Sequence, residues 1–167
     1  LPRFANCSFD AAYPFGTVNL DDEDMPISAK AKVFNPFIPG DADASGIPIA
    51  VIRYEITNKT NKPITAAVAG TMDNFVGMDG SVAVISGWNS LLDYKGTKNN
   101  RNTFKQNDKL AGIFMTSDSV PNTSRAWGTI ALTTPKNRAG DIISYRTEFN
   151  TSGWNSNFTD LWDDFSS

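Results

Sequence analysis

IAVIRYEIT, residues 49–57, decides the fold. Ala50, Ile52, Tyr54 and Ile56 fall on one side and Val51, Arg53, Glu55 and Thr57 on the other, the two-residue period of a half-buried strand whose first set faces a core. NKTNKP (58–63) then supplies turn chemistry, and ITAAVAG (64–70) resumes the alternation with Ile64, Ala66 and Val68 on one side. That arrangement reads as a hairpin.

Working outward, further candidate strands are TVNL (17–20), ISAKAKVF (27–34), VAVISG (82–87), LAGIFMTS (110–117), GTIALTT (128–134) and ISYRTEF (143–149). Between them lie the turn-rich clusters MDGS, YKGTKNNRN, SVPNTS and TPKNRAGD. Many short strands with almost no helical periodicity predict a mainly β chain, its antiparallel sheets packed as a β-sandwich. One helical signal closes the chain. In NFTDLWDDFSS, Phe158, Leu161, Trp162 and Phe165 stand at i, i+3, i+4 and i+7 behind a candidate N-cap, Asn157, with Asp160 in the first turn. The spacing predicts one short C-terminal helix with an aromatic stripe, either closing an open end of the sandwich or offering a platform for sugar rings. A chain that stops directly after such a helix reads as part of a longer protein.

Upstream of the deciding strand, Pro36, Pro39 and Pro48 each fix a backbone dihedral and bias the preceding residue to an extended form. FNPFIPGDADASGIP is therefore a stiff connection with little entropy to lose on docking. Phe37 and Ile38, apolar and set between two of the prolines, either plug a core edge or dock against another domain. Asp41 and Asp43 alternate as calcium ligands do, but the carboxylate needed downstream at calcium-loop spacing is missing, so no metal site is expected.

Composition narrows the chemistry. The chain has 167 residues, enough for one domain burying roughly two-thirds of its unfolded surface without a structural metal or disulfide. Its formal charge of -3, from 15 basic and 18 acidic residues, includes no cationic stripe to track a phosphate backbone, so nucleic acid is not an expected partner. Histidine is absent, which excludes Ser-His-Asp and Cys-His nucleophiles, the HExxH zinc site and histidine proton shuttles. The single Cys7 cannot form an internal disulfide. No apolar run has the roughly 20 residues needed to span a bilayer, the opening LPRFANCSF has no signal-peptide layout, and the compartment stays open. Five Asn-x-Ser/Thr sequons begin at Asn6, Asn58, Asn122, Asn150 and Asn157, and chance accounts for several in a chain this rich in Asn, Ser and Thr.

Trp88, Trp127 and Trp154 sit beside turn residues, where an exposed indole can stack on the apolar face of a sugar or simply pack a loop. Two of them share the pentapeptide SGWNS (86–90 and 152–156), with no surrounding similarity that would make it a duplicated site.

YPFGTVNL (13–20), FNPFIPGDADASGIPIAVIRYEITNKTNKPI (34–64) and NFTDLWDDFS (157–166), taken in order, resemble the N-terminal domain of glycoside hydrolase family 116, which includes the non-lysosomal glucosylceramidase and bacterial and archaeal β-glucosidases. Asp43, Ser45 and Pro48, following Pro36-Phe37-Ile38-Pro39, form the most specific ordered set. The resemblance implies a supersandwich-like N-terminal β-domain, of which residues 1–167 form an interior portion, joined to a C-terminal helical toroid. That toroid is the implied partner and holds the pocket for a β-glucoside or glycolipid substrate. It also supplies the Glu nucleophile and the Asp acid/base of a retaining mechanism, and neither motif is matched here. No catalytic residue, cofactor or metal is therefore expected in this chain. Asn35, Pro36, Phe37, Ile38, Pro39, Asp43 and Ser45 are the candidate domain-interface residues.

The acidic residues agree. Retaining glycoside hydrolysis needs two carboxyl groups about 5 to 5.5 Å apart, one of them held protonated. The dense acidic stretches, Asp21, Asp22, Glu23 and Asp24 and then Asp163 and Asp164, occupy positions that read as loops or solvent-facing. Two other readings fit the sequence: a carbohydrate-binding sandwich, and a spacer module, which fits the strands but leaves the ordered motif set unexplained.

Overall fold

The computed structural model describes residues 3–78, 84–85, 92–93, 99–136 and 140–148. The backbone divides into two compact units, Leu1–Val68 and Ala69–Ser167. Both are built from antiparallel strands, and the described residues contain one helix, of four residues. The mainly β, antiparallel class read from the sequence is the class found.

The first unit is a meander of four strands: β1 (Asn6–Ala12), β2 (Phe15–Asp21), β3 (Ile27–Phe34) and β4 (Val51–Asn58), hydrogen-bonded in that order. Because directly paired residues share a face, the register sorts the side chains completely. Three rows run across one face: Cys7, Leu20, Ala29 and Ile56; Phe9, Val18, Ala31 and Tyr54; Ala11, Gly16, Val33 and Ile52. No charge falls in them. The opposite face carries Ser8, Asn19, Lys30 and Glu55 in one row and Asp10, Thr17, Lys32 and Arg53 in the next.

Ile52, Tyr54 and Ile56 thus share the apolar face, as their period demands, and within the described first unit taken by itself that face is left uncovered. Phe9 is 67% exposed and Tyr54 47%, and among these rows only Ala31 is buried. The reason is local: the meander supplies one layer, and no element of the described first unit lies over its apolar side. Gly16 shows how close the packing along the sheet is. A Cβ there would stand 3.1 Å from the Phe9 ring, so the phenyl lies over the glycine instead of over a side chain.

The expected hairpin after β4 is corrected. Its turn forms: Asn58 accepts hydrogen bonds from Thr60 N (2.8 Å) and Thr60 Oγ1 (2.9 Å) and donates to Lys62 O (2.7 Å). Residues 64–70 then run on without joining a ladder. Period two reports which side of a segment is apolar; it does not supply a partner.

The second unit contains β5 (Val84–Ile85) paired with β6 (Leu92–Asp93), and a sheet of β7 (Asn100–Gln106), β8 (Leu110–Ser117) and β9 (Ile130–Pro135) with β8 in the middle. Asn100, Asn102, Phe104, Ala111, Ile113, Met115, Ile130 and Leu132 share one face. This face is covered. Ala111 and Met115 are 1% and 2% exposed, Val76 is buried as well, and Tyr145 stacks on Phe104 with ring centroids 3.7 Å apart.

Asn74 fastens the cover. Its Nδ2 donates to Asn102 Oδ1 (2.8 Å) and Thr116 O (3.0 Å), and its Oδ1 accepts from Val76 N (3.1 Å). Asn100 Nδ2 returns a bond to Asn74 O (2.8 Å), and Asn102 Nδ2 reaches Thr147 O (2.7 Å). Inward-facing asparagines replace apolar residues here, which is why β7 was read as part of a turn cluster. ISYRTEF differs too: residues 143–148 form no strand, and Phe149 lies outside the described residues. The predicted C-terminal helix and most of VAVISG also lie outside them.

At Gly112, within β8, a Cβ would run into Leu132 O and stand 2.7 Å from Thr133 Cα. Both are backbone atoms of β9 and cannot rotate away. Gly112→Ala is expected to lower stability by about 1–3 kcal/mol, the usual size of an overpacking penalty, read as a fall in the urea midpoint; an unchanged midpoint would mean β9 does not approach β8 this closely.

Candidate functional site

The paired residues Ala12, Phe15, Phe34 and Val51 form the last row of the first sheet at one end. Beyond that row lie two connections: the Tyr13-Pro14 turn, with a cis peptide bond, and the loop of residues 35–50 between β3 and β4. The stiffness predicted from the prolines has a hydrogen-bonded basis. Ser45 Oγ donates to Ile38 O (3.0 Å) and accepts from Ile38 N (2.9 Å), pinning the Pro-Phe-Ile-Pro segment to the end of helix α1 (Ala42–Ser45). Asp41 caps that helix, its carboxylate accepting from Ala44 N at 2.9 Å. Gly40, at φ 84, takes the left-handed turn that a side chain would resist.

The candidate residues divide within this loop. Phe37 and Ile38 are exposed, as are Asn35, Pro39 and Asp43, while Pro36 and Ser45 are half-buried. Ser45 acts on the backbone and presents nothing outward. Phe37 meets Tyr13 edge-on at 5.3 Å between ring centroids, and Phe15 packs on Phe34 at 5.7 Å. Tyr13, Ile47 and Ile49 were not singled out from sequence, yet they are exposed at the same end. Their signal was present: each neighbours a proline in a short apolar stretch.

Trp127, in the second unit, is 54% exposed, with its backbone N–H donating to Ser124 O at 3.1 Å. Trp88 and Trp154 lie outside the described residues.

The polar face of the first sheet gathers its charges into ion pairs. Lys32 Nζ lies 2.9 Å from Glu55 Oε1, Arg53 Nε lies 3.4 Å from the same oxygen, and Lys59 Nζ lies 3.0 Å from Asp21 Oδ1. The hydrogen bond from Lys32 holds the Glu55 carboxyl below its ordinary value; desolvation opposes it, and the charges of Lys32, Arg53 and Lys30 add to the lowering. A general acid in glycoside hydrolysis needs the opposite shift. Among the described residues, no three or more His, Cys, Asp or Glu gather where a metal could sit, and no helix is long and apolar enough to cross a membrane.

A family model described as beta-glucosidase 2, glycosyl-hydrolase family 116 N-term, matches residues 2–167. The chain belongs to this family. The family 116 resemblance read from YPFGTVNL, the proline-rich loop and LWDDF is thereby met at the level of the family, across nearly the whole sequence. No curated protein matches the chain. As a family 116 N-terminal domain it belongs to a glycoside hydrolase, which implies a catalytic domain in the same protein.

Glu55 offers a test of the electrostatics. A carboxyl whose folded pKa is depressed contributes stability above its unfolded pKa and loses it as pH falls through the folded value. The Glu55 contribution is therefore expected at neutral pH and gone well below pH 4.5, its ordinary value. In urea titrations from pH 7 to pH 3, wild type and Glu55→Gln should differ at neutral pH and converge on acidification; parallel curves would show that Lys32 does not select the ionised form.

Proposed function

We propose that this chain is the noncatalytic β-domain of a β-glucosidase-type glycoside hydrolase, carrying and orienting the catalytic domain of the same polypeptide. The retaining hydrolysis of a β-glucoside or glycolipid takes place in that partner. The observation that carries the reading is the 35–50 loop: apolar at its tip, held by Ser45 and Asp41, and exposed at Phe37 and Ile38. A loop already fixed in shape loses little entropy on docking, so its apolar tip is suited to a domain contact. Family membership supports the same reading, and Glu55, its carboxyl held below the ordinary value by the hydrogen bond from Lys32, is shifted away from what a general acid needs. In this reading Asn35, Pro36, Phe37, Ile38, Pro39, Asp43 and Ser45 belong to the contact, with Ser45 acting through the loop backbone.

The isolated chain is expected to give no turnover of an aryl β-glucoside above the uncatalysed rate. Turnover that a single Asp or Glu substitution abolished would place the reactive acids here and end the proposal.

A second reading, direct carbohydrate binding, is favoured by one observation, the half-exposed indole of Trp127. Titrating the chain with gluco-oligosaccharides to millimolar concentration should leave its tryptophan fluorescence unchanged if the scaffold reading holds. A saturable change lost in Trp127→Ala would establish the second reading instead.

A further inference from the structure

β4 has one unused edge. β3 pairs with it along its whole length, and among the described residues no strand pairs on its other side. Ile52, Arg53, Tyr54 and Ile56 are exposed. The ladder tells which backbone groups face outward. Lys59 N donates to Pro26 O at 2.9 Å, one pair beyond Ile27 and Asn58, so Lys59 and every second residue back from it, Thr57, Glu55, Arg53 and Val51, exchange their bonds with β3. The N–H and C=O groups of Ile52, Tyr54 and Ile56 therefore point to the open edge.

An added antiparallel strand would bond to that second set. When the strand is β4 of a second copy, related by a two-fold axis perpendicular to the sheet, its outward groups are the same ones, and each register in which the bonds form is centred on one residue. Charge chooses among these registers. Centred on Arg53 or on Glu55, that residue meets its own copy, like against like. Centred on Ile56, Arg53 faces the partner's Lys59; centred on Ile52, it faces the partner's Val51, and Glu55 has no strand residue opposite. Centred on Tyr54, Arg53 faces the partner's Glu55 and Glu55 faces the partner's Arg53, both as non-hydrogen-bonded pairs, whose side chains lie closer. Ile52 then faces the partner's Ile56, so the two apolar faces continue side by side. Arg53 can reach across: its side chain is 72% exposed and stands 3.4 Å from its own Glu55, which Lys32 holds more closely at 2.9 Å.

We infer that this chain forms a symmetric dimer by antiparallel pairing of its β4 edges, with Tyr54 at the two-fold axis and two Arg53–Glu55 pairs across it, joining the two four-stranded sheets into one. Each edge is used up by the other, so the assembly closes at two copies. The dimer goes beyond the scaffold reading, which stands whether or not the edges pair.

Sedimentation velocity of the full-length enzyme across the micromolar range tests it. Wild type is expected to pass from monomer to dimer as concentration rises, since one strand edge is a small interface. Arg53→Glu and Glu55→Arg each set like charges opposite one another at both pairs and should raise the dissociation constant about tenfold or more. An equimolar mixture of the two variants should dimerise again, because each chain then faces the opposite charge. A wild type that stays monomeric, variants that dimerise as well as wild type, or folded variants that do not recover on mixing would overturn the pairing. Should either swap fail to fold, Tyr54→Cys reads the same register: the axis brings the two introduced thiols within disulfide reach, whereas Ile52→Cys leaves them offset along the strands. An interchain disulfide at position 54, found by mass spectrometry under mild oxidation, is the expected result. Its absence, or equally ready cross-linking through Ile52→Cys, would overturn the Tyr54-centred dimer.

Discussion

A one-residue slip in any strand of the first sheet would send its whole apolar set to the charged side, and this constraint organises the unit. Twelve positions in three rows are free of charge, and the cations and carboxylates fall on the other face, where Lys32, Arg53 and Glu55 pair across β3 and β4. The register is thus specified twice, by what one face excludes and by what the other pairs. The same register sets the position of the functional end. Because Ala12, Phe15, Phe34 and Val51 align, the Tyr13-Pro14 turn and the long β3–β4 connection emerge side by side, and Tyr13 can meet Phe37.

How far this was legible in the sequence depends on how each strand signals its buried side. ISAKAKVF and LAGIFMTS coincide with β3 and β8 residue for residue, since both alternate or run apolar over their full length. β1 was missed although Cys7, Phe9 and Ala11 alternate with Asn6, Ser8 and Asp10, because only Phe9 is large enough to stand out against a polar run. β7 was missed for a different reason. Its inward residues include Asn100 and Asn102, which satisfy the backbone of the segments laid over them, and a hydropathy pattern cannot separate such asparagines from those of a turn. ITAAVAG failed in the opposite sense: its period is correct for a strand, and no neighbouring strand pairs with it.

The candidate site was legible as stiffness and not as a surface. Three prolines announce a loop with few conformations, but the bonds that complete its shape come from Ser45 and Asp41, whose roles depend on a four-residue helix too short to give a periodic signal. Tyr13 lies 24 positions before Phe37, so their meeting follows from strand pairing and from nothing local. The family was legible from the ordered set of prolines, Asp43 and Ser45 in that loop, and the family match extends over residues 2–167.

β4 occupies the outer position of the meander, with β3 on one side and, among the described residues, no strand on the other. Its free N–H and C=O groups form a template on which a strand from another molecule can add, and Ile52, Tyr54 and Ile56 would give such a cross-β stack an apolar seam. Arg53 and Glu55 alternate with that seam on the opposite face, where in-register parallel stacking would bring like charges together. Charged side chains on an edge strand are the general means by which sheets resist edge-to-edge growth, and on β4 Arg53 and Glu55 are the residues of that kind.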